Sequence, residues 1–387
     1  MMKNVAIIGA GPSGLIAAEV LSLAGWQVDI FDQMPSPARK FLMAGRGGLN
    51  LTHSEPFERF VTRYGRQASH LRAALDAFAP KHLRAWADEL GAETFVGTSG
   101  RVFPKAMKAS PLLRAWLKRL ASQGVRFHMG HRLVEIIEGG VILQTGTERF
   151  NFSCDRTFLA MGGASWPRLG SDGRWLETLA NHGVEIVPLK AANVGFGIKW
   201  SELFAEKFAG TPLKNIAISH GAKEVKGEVM LTRHGIEGGS VYALSASLRD
   251  AIIKEGVALA FLDLRPDLSP GQVASKLGRA SPKDSLSNRL RKTLNLSPAA
   301  IALVHETQAT DIKAIALRLT EVQGLDRAIS TAGGIAFSGL TRNFELKGLP
   351  GVYAVGEMLD WEAPTGGYLL QACFSTAVMA ARSLSKP

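Results

Sequence analysis

The sequence predicts an α/β protein in which a discontinuous domain, built on a parallel sheet, carries an inserted β-barrel-like part and an inserted helical part. Three observations lead to this fold class. The chain begins with an apolar strand, a glycine turn and a helix, and a second glycine-rich strand-to-helix segment lies near its C-terminus. A β-rich stretch with many glycines lies between them. With 387 residues the chain is long enough for two or three domains.

The composition is that of an ordinary soluble globular protein, with 46% apolar and 20% charged residues. Its two cysteines, Cys154 and Cys373, are far apart and belong to no metal-ligand or CxxC spacing. This pattern disfavours a disulfide scaffold, a zinc site, an iron–sulfur cluster and a dithiol redox centre. We therefore expect no metal.

The N-terminal segment has each part of a dinucleotide-binding turn. Residues 5–8 form an apolar strand, a helical pattern covers 15–23, and a second strand, 27–31, is followed by Asp32. Glycines between strand and helix permit a tight turn, close approach of a diphosphate and close helix packing, while the acid accepts hydrogen bonds from a ribose. The pattern predicts a Rossmann-type domain with cofactor contacts from Gly9, Ala10, Gly11, Pro12, Ser13, Gly14, Asp32 and Gln33.

A second glycine loop follows at residues 38–52 and combines cations with glycines. Such a loop can offer backbone N–H groups to a long diphosphate ligand, although an ordinary glycine turn has the same composition. The first fingerprint alone does not separate FAD from NAD. The cofactor contacts predicted in this loop are Arg39, Lys40, Arg46, Gly47, Gly48, Asn50 and Leu51.

The first 26 residues have a superficial likeness to a signal peptide, with an early Lys and a mostly apolar run. The run contains Pro12, Glu19 and four glycines, so we interpret it as folded core. No stretch approaches 18 uninterrupted apolar residues, and we expect no membrane span and a cytoplasmic location.

Residues 38–53 resemble the HI0933-like family of NAD(P)/FAD-dependent oxidoreductases, whose signature reads GRKLLISGGGRCNLTN. The matching residues are Arg39, Lys40, Gly45, Gly47, Asn50, Leu51 and Thr52. Arg46, Gly48 and Leu49 depart from the usual Gly, Arg and Cys. The departures indicate a divergent subfamily, and no role of that cysteine carries over.

Further segments resemble the same family at 100–104, 159–167, 331–335, 350–360 and 364–371. Residues 237–239, Glu-Gly-Gly, replace the family's Ser-Gly-Pro, and a different substrate choice follows if that loop shapes the pocket. The resemblance implies FAD as the cofactor. Further cofactor contacts are predicted for Val134, Met161, Gly162, Gly163, Gly356, Glu357, Asp360, Thr365, Gly366, Gly367, Tyr368 and Gln371.

The C-terminal segment supports a ligand without the resemblance. Residues 352–355 form a buried-strand run, and Asp360 can reach a ribityl hydroxyl. A helix opened by residues 365–367 would direct its positive end toward the flavin ring and stabilise the anionic reduced form. The alternative is a core helix with a glycine cap.

The positions of these motifs predict the domain boundaries. We expect a cofactor domain of residues 1–188 and 326–387, a barrel-like insertion at 189–264 and a helical insertion at 265–325. Residues 57–123 are expected to be helical around a loop at 91–110, and 133–152 to form a hairpin. The helical insertion should be broken by Pro270, Pro282 and Pro298.

The expected chemistry is reduction of FAD by NAD(P)H, followed by hydride delivery to an electron-poor C=C bond. No second GxGxxG occurs, so NAD(P)H should bind transiently over the flavin, unless another reductant serves. The reaction also needs a proton donor. The predicted catalytic residues are His53, Arg101, His234 and Tyr368.

Charge distribution bears on the substrate. Residues 39–130 contain 16 Lys and Arg against 6 Asp and Glu, and residues 276–292 contain 6 against 1. Within the resembled family, members are linked to dihydrouridine formation in rRNA and to reduction of steroid-like enones. The two basic segments favour an RNA uridine as substrate. A small-molecule enone reductase with an inert basic surface, and a non-catalytic RNA-binding flavoprotein, are the alternatives.

Overall fold

The computed structural model describes residues 3–45 and 47–385, which divide into two compact units. The first unit contains the described residues up to 190 and from 330 onward, and the second contains 191–329. Each unit has a hydrophobic core of its own. No helix within the described ranges is long and apolar enough to cross a membrane.

The elements are numbered in chain order. The helices are α1 Pro12–Leu23, α2 Arg39–Ala44, α3 Phe57–Thr62, α4 Ala68–Ala77, α5 Pro80–Glu89, α6 Ala109–Ser122, α7 Trp175–Ala180, α8 Glu202–Phe208, α9 Gly239–Ala243, α10 Ser245–Glu255, α11 Pro270–Gly278, α12 Leu286–Leu294, α13 Pro298–Glu306 and α14 Tyr368–Ser383. The strands are β1 Asn4–Ile8, β2 Gln27–Asp32, β3 Thr52–His53, β4 Phe95–Val96, β5 Arg101–Phe103, β6 Arg126–Met129, β7 Arg132–Ile137, β8 Gly140–Thr145, β9 Glu148–Ser153, β10 Arg156–Leu159, β11 Ile186–Ala192, β12 Phe196–Gly197, β13 Pro212–His220, β14 Lys223–Thr232, β15 Gly235–Glu237, β16 Ala258–Asp263, β17 Ile315–Leu319, β18 Glu321–Val322, β19 Ser330–Ile335 and β20 Val352–Ala354.

A five-stranded parallel sheet organises the first unit, in the order β20-β10-β1-β2-β6. Four of the five residues of β1 are buried, because helices cover a parallel sheet on both faces. The register sets Ile8 beside Leu159 and Phe31, so the carboxyl ends of three strands meet at one edge. The predicted Rossmann-type α/β fold is confirmed.

Helix α1 contacts α14, and it also anchors α5 and α6 through one buried carboxylate. Glu19 is 5% exposed and accepts hydrogen bonds from the indole N–H groups of Trp86 (3.1 Å) and Trp116 (2.7 Å). The Arg119 guanidinium forms an ion pair with the same carboxylate, with Nη1 3.0 Å from Glu19 Oε1. Buried charges persist only when they are paired in this way.

Two small antiparallel sheets differ from the sequence-based expectation. Residues 133–152 were expected to form a hairpin, but the chain makes a third strand, giving the sheet β7-β8-β9. The segment expected to be a loop at 91–110 contains β4 and β5, which extend to β3 in the order β3-β5-β4. The strands of this second sheet have two or three residues each, too few to show an alternating pattern.

The second unit contains a seven-stranded sheet in the order β17-β16-β13-β14-β15-β12-β18. Strands β17 and β18 are at opposite ends of this order, yet only Thr320 separates them in the chain. The sheet must therefore curl until its two edges approach one another, as in a barrel. This geometry agrees with the predicted β-barrel-like insertion.

The segment 265–325 was expected to be helical throughout, and this expectation is wrong at its C-terminal end. Strand β17 alternates buried and exposed residues, with Ile315, Leu317 and Leu319 inward, and pairs with β16. Pro270 and Pro298 are the first residues of α11 and α13, a position where proline fits a helix, and so they begin helices there. The helices and the sheet share one hydrophobic core.

Candidate cofactor and catalytic site

A cavity of about 680 Å³ opens in the first unit at the carboxyl ends of β1, β2 and β10. Its volume lies within the range of about 300 to 1,000 Å³ that is usual for small-molecule sites. Twelve of the predicted cofactor residues line it: Gly9, Gly11, Pro12, Ser13, Asp32, Gln33, Arg39, Lys40, Val134, Met161, Gly162 and Glu357. The cavity also has a wall that the sequence did not indicate, formed by residues 169–182.

The glycine turn has two different steric roles. A methyl group at Gly14 would overlap the carbonyl oxygen of Gly9, so this glycine lets α1 pack on β1. Gly11, in contrast, has no atom within 4 Å of where a methyl group would be. It precedes α1 with no side chain capping the helix. The free N–H groups of the first turn therefore face the cavity, where an anion is favoured.

Asp32 ends β2 at the cavity. Its carboxylate accepts hydrogen bonds from the backbone N–H groups of Ala10 (2.7 Å) and Met34 (2.8 Å). Burial raises the pKa of Asp32, and these two hydrogen bonds and the charge of Arg39 act in the opposite direction. Each oxygen keeps a lone pair for a further donor, such as a ribose hydroxyl.

Two donors that line the cavity are buried without a partner in the described structure. They are the guanidinium Nε of Arg39 and the hydroxyl of Ser171. Buried polar groups are nearly always hydrogen-bonded, so these two atoms indicate a ligand with acceptor oxygens or nitrogens. A dinucleotide with a diphosphate and two ribose-like chains fits that requirement.

An ion pair forms another part of the cavity wall. The Lys40 ammonium donates to Glu357 Oε2 and to the Ser165 hydroxyl, both at 2.7 Å, and Glu357 Oε1 accepts from the N–H of Thr331 at 3.0 Å. Burial and the charge of Glu357 raise the pKa of the nearby Cys373 thiol to about 12. The sulfur is therefore protonated at neutral pH and is a poor nucleophile.

The remaining predicted cofactor residues do not line this cavity, and their role stays a prediction. Arg46 lies outside the described residues. The others are Ala10, Gly14, Gly47, Gly48, Asn50, Leu51, Gly163, Gly356, Asp360, Thr365, Gly366, Gly367, Tyr368 and Gln371.

Two of these residues have protein partners of their own. The Gln371 side chain is fully buried, accepts from the Thr52 hydroxyl and donates to the carbonyl of Phe78, both at 2.7 Å. Asp360 accepts a hydrogen bond from Gln67 at 2.7 Å. Burial raises the pKa of Asp360, while the charge of Arg66 opposes the rise.

Three of the four predicted catalytic residues lie together. His53 pairs with Arg101 across β3 and β5, and its ring stacks on Tyr368 with centroids 5.5 Å apart. His234 belongs to the second unit, in the turn between β14 and β15, and is exposed. His53, Arg101 and Tyr368 are thus neighbours in space, although Tyr368 is far from the other two along the chain.

Glu55 and Arg63, which the sequence analysis did not single out, complete this cluster. The Tyr368 hydroxyl donates to Glu55 at 2.5 Å, and Arg63 makes two hydrogen bonds to the same carboxylate at 2.6 and 2.9 Å. Burial and the Glu55 charge raise the pKa of Tyr368 well above 10. For Glu55, burial raises the pKa, but the hydrogen bonds from Arg63 and Tyr368 outweigh it, so the pKa lies below 4.5.

The hydrogen bonds of His53 assign its tautomer. Nδ1 accepts from the backbone N–H of Glu55 at 3.1 Å, and Nε2 lies 3.0 Å from the carbonyl oxygen of Ser99. Nδ1 must be unprotonated to accept, so Nε2 carries the hydrogen and donates to Ser99. His53 is thus a neutral imidazole with both ring nitrogens in use.

A parallel sheet with an uncapped helix at a dinucleotide-sized cavity defines the class of dinucleotide-binding proteins. The chain belongs to the HI0933-like family, because the family model for the HI0933-like protein Rossmann domain matches residues 3–383. The protein is therefore an enzyme, and the non-catalytic alternative is set aside.

Two relatives align along the whole chain. A 3-dehydro-bile acid delta(4,6)-reductase of Clostridium scindens is 26% identical over 100% of both chains. A ribosomal RNA dihydrouridine synthase of Escherichia coli is 24% identical over 98% of this chain and 97% of the relative.

Among solved structures, the open conformation of a flavocytochrome c3 fumarate reductase superimposes with a TM-score of 0.54. The sequence identity is 15%, and the superposition covers 99% of this chain and 78% of the fumarate reductase chain. At this identity the likeness concerns the fold alone.

Proposed function

We propose that this enzyme uses FAD and electrons from NAD(P)H to saturate a C=C bond conjugated to a carbonyl group, and that its substrate is a uridine in RNA. The observation that carries the reaction class is the chemistry common to both full-length relatives. The name of one specifies reduction of a bile acid, and the name of the other specifies formation of dihydrouridine. Both describe addition of hydrogen to a C=C bond, a reaction within the reach of a flavin.

FAD, when bound, supplies the hydride for such a reduction. The residues of the cavity hold and orient it. The first turn of α1 binds the diphosphate, Asp32 accepts from the ribose, and the unpaired donors of Arg39 and Ser171 gain acceptors. The Lys40–Glu357 pair presents one fixed positive and one fixed negative charge to the rest of the cofactor.

The cluster at β3, β5 and α14 positions the substrate in this proposal. Tyr368 is a poor proton donor, because loss of its proton would leave a second negative charge 2.5 Å from Glu55. His53 is neutral and uses both ring nitrogens. Arg101 is exposed and always charged, which suits a hydrogen bond to a phosphate or a carbonyl oxygen.

The reductant is tested by anaerobic mixing of the yellow protein with NADH or NADPH. Loss of the oxidised flavin absorbance with either nucleotide supports NAD(P)H as the donor. A flavin that stays oxidised with both, yet is bleached by dithionite, would show that another reductant serves.

The charge distribution supports RNA, but unequally in the two basic segments. Carboxylates neutralise seven basic residues of segment 39–130: Lys40, Arg59, Arg63, Arg72, Lys105, Arg119 and Arg126. In segment 276–292, all of which is described, Lys292 alone forms an ion pair, with Asp284. We infer that α11, α12 and the turn between them, where five of the six described basic residues form no ion pair, contribute phosphate contacts.

A triple variant tests this inference. Arg279→Gln, Lys283→Gln and Arg291→Gln remove three exposed charges, so RNA affinity should fall and the slope of log affinity against log salt should flatten by about 2 to 3. The matched control replaces Lys199, Lys207 and Lys214, three exposed charges elsewhere in the second unit. Equal loss in both variants would mean that net charge, and not this segment, governs binding.

The substrate is tested by mass spectrometry of rRNA from a strain that lacks the gene. Disappearance of a dihydrouridine, and its restoration by the intact gene, supports the RNA substrate. An unchanged set of dihydrouridines would refute it.

A steroid-like enone is the second candidate, favoured by the 26% identity to the bile acid reductase. It is preferred if the purified enzyme oxidises NAD(P)H in the presence of a conjugated steroid ketone and leaves uridine-containing RNA unchanged.

A further inference from the structure

The hairpin β4–β5 presents an apolar surface beside the predicted catalytic residues. Phe95 is 42% exposed and Val96 43%, although both are strand residues with large apolar side chains. Met107, which follows the hairpin, is 38% exposed. We call Phe95, Phe103 and Met107 the hairpin platform; Val96, the next residue of the strand, faces the other side of the sheet. Such a cluster on the surface usually marks a binding site.

We propose that the hairpin platform stacks a nucleobase of single-stranded RNA next to the uridine that is reduced. The proposal rests on the RNA substrate proposed above and names the surface that recognises it. A base offers a flat π-face to an aromatic ring whatever its identity, so a platform of this kind binds a neighbouring nucleotide without reading its sequence.

The geometry keeps the platform rigid. The rings of Phe95 and Phe103 lie 6.0 Å apart on paired strands, and β4 is the outer strand of its sheet. Phe103 and the Met107 methyl also approach Gly48, within 4 Å of where a methyl group on that glycine would be. Phe95 thus packs side by side with the Phe103 ring of the neighbouring strand, which restricts its movement.

The platform is tied to the predicted catalytic cluster through the backbone. Strand β5 pairs with β3, which sets Arg101 opposite His53. The N–H of Leu49 donates to the carbonyl of Met107 at 2.7 Å, and the N–H of Leu51 donates to that of Val102 at 2.9 Å. The second glycine loop and the platform therefore form one connected surface in the first unit.

Charge complementarity favours RNA as the occupant. Arg101 and Lys108 flank the platform and are exposed, while Lys105 is paired with Glu93 at 2.6 Å. Exposed aromatic rings interleaved with unneutralised cations match the alternation of bases and phosphates along a single strand. A bile acid, with a single carboxylate, could pair with only one of these two cations.

The test uses the FAD-loaded enzyme and a short oligoribonucleotide with 2-aminopurine beside a central uridine. Phe95→Ala should weaken binding roughly 5- to 150-fold, as expected for the loss of one stacked base. It should also restore the fluorescence of 2-aminopurine that stacking quenches. Phe95→Trp should retain affinity and quenching.

The matched control is Phe261→Ala, because Phe261 is also 42% exposed but lies in the second unit. It should bind the oligoribonucleotide like the parent, and all three variants should keep their FAD content.

The outcomes separate the platform from the proposed function. If the parent binds and reduces the RNA but Phe95→Ala does so equally well, the platform is refuted and the RNA substrate stands. If the parent does not bind the RNA at all, the RNA substrate and the nucleobase platform are both refuted. If Phe95→Ala impairs turnover of a steroid-like enone and leaves RNA binding unchanged, the platform binds the enone and the nucleobase proposal is overturned.

Discussion

Gly11 and Gly14 are three positions apart in one turn, yet their substitution should have opposite consequences. A side chain at Gly11 meets no protein atom, and the backbone there is extended, so Gly11→Val should fold normally. Its methyl groups would occupy the space of the diphosphate. We expect a colourless protein with the thermal midpoint of the FAD-free parent.

Gly14→Ala is the comparison variant, since its methyl group overlaps the carbonyl of Gly9. We expect a lower thermal midpoint even without cofactor. Released flavin fluorescence and thermal melts of the FAD-free proteins measure both effects. A Gly11→Val protein that retains FAD would contradict the placement of the diphosphate.

Glu55 should make the stability of the protein depend on pH in the acid range. Its pKa is lower in the folded protein than the ordinary value of 4.5, so its stabilising effect is present above that pH and is lost as the pH falls below it. Glu55→Gln should lower the free energy of unfolding at pH 7 by about 1 to 3 kcal/mol. The loss should shrink toward pH 3.

The control for Glu55 is Glu58→Gln. The Glu58 side chain is 75% exposed and pairs with Arg72 at the surface, where solvent screens such pairs and they contribute little to stability. Denaturant unfolding at several pH values measures both variants. If the free energy of unfolding of Glu55→Gln depends on pH as it does in the parent, this carboxylate is not the group responsible.

At the scale of elements, the first turn of α14 is hydrogen-bonded to β3 through the buried side-chain amide of Gln371. Gln371→Met keeps the shape of the side chain but leaves the Thr52 hydroxyl without its acceptor. We expect the free energy of unfolding to fall by about 1 to 3 kcal/mol. FAD content should change little, since Gln371 does not line the cavity.

A double-mutant cycle checks this prediction. Thr52→Val with Gln371→Met removes both partners, so the double variant should lose less than the sum of the two single losses. Strict additivity would mean that the two side chains do not interact.

The elements that sequence analysis predicted correctly have local signals, and those it missed do not. The turn at Gly9–Gly14 is specified by neighbours in the chain, and its strand, helix and acid follow in order. Ser171 reaches the same cavity from an unrelated loop, and Glu55 meets Tyr368 across 313 positions. No periodicity reports such long-range contacts. Strand β17, in contrast, has a readable alternation of buried and exposed positions, although it has only five residues.

At the scale of the whole molecule, the insertion leaves and re-enters the first unit through one pair of strands. β11 and β19 pair with each other, and the N–H of Ile329 donates to the carbonyl of Asn193 at 3.2 Å. A short turn can therefore replace residues 194–328 without stretching the chain. Because the first unit has its own core, we expect it to fold cooperatively in this form.

Such a deletion protein should bind FAD and should bind RNA more weakly than the parent, because it lacks the basic segment 276–292. Flavin fluorescence and oligoribonucleotide anisotropy measure the two properties. A soluble, cooperatively folded deletion protein that no longer binds FAD would show that the second unit contributes to the cofactor site.

The order of strands in the parallel sheet also has a consequence for biosynthesis. Strand β10 pairs with β20, and α1 packs against α14, which ends at Ser383. Both partners are synthesised after the insertion. While the ribosome is still translating the insertion, the nascent chain therefore exposes one open sheet edge and the apolar face of its first helix. Chaperones that shield such surfaces during translation should bind this chain from the emergence of β10 until release. Premature termination before α14 should then direct the chain to proteolysis.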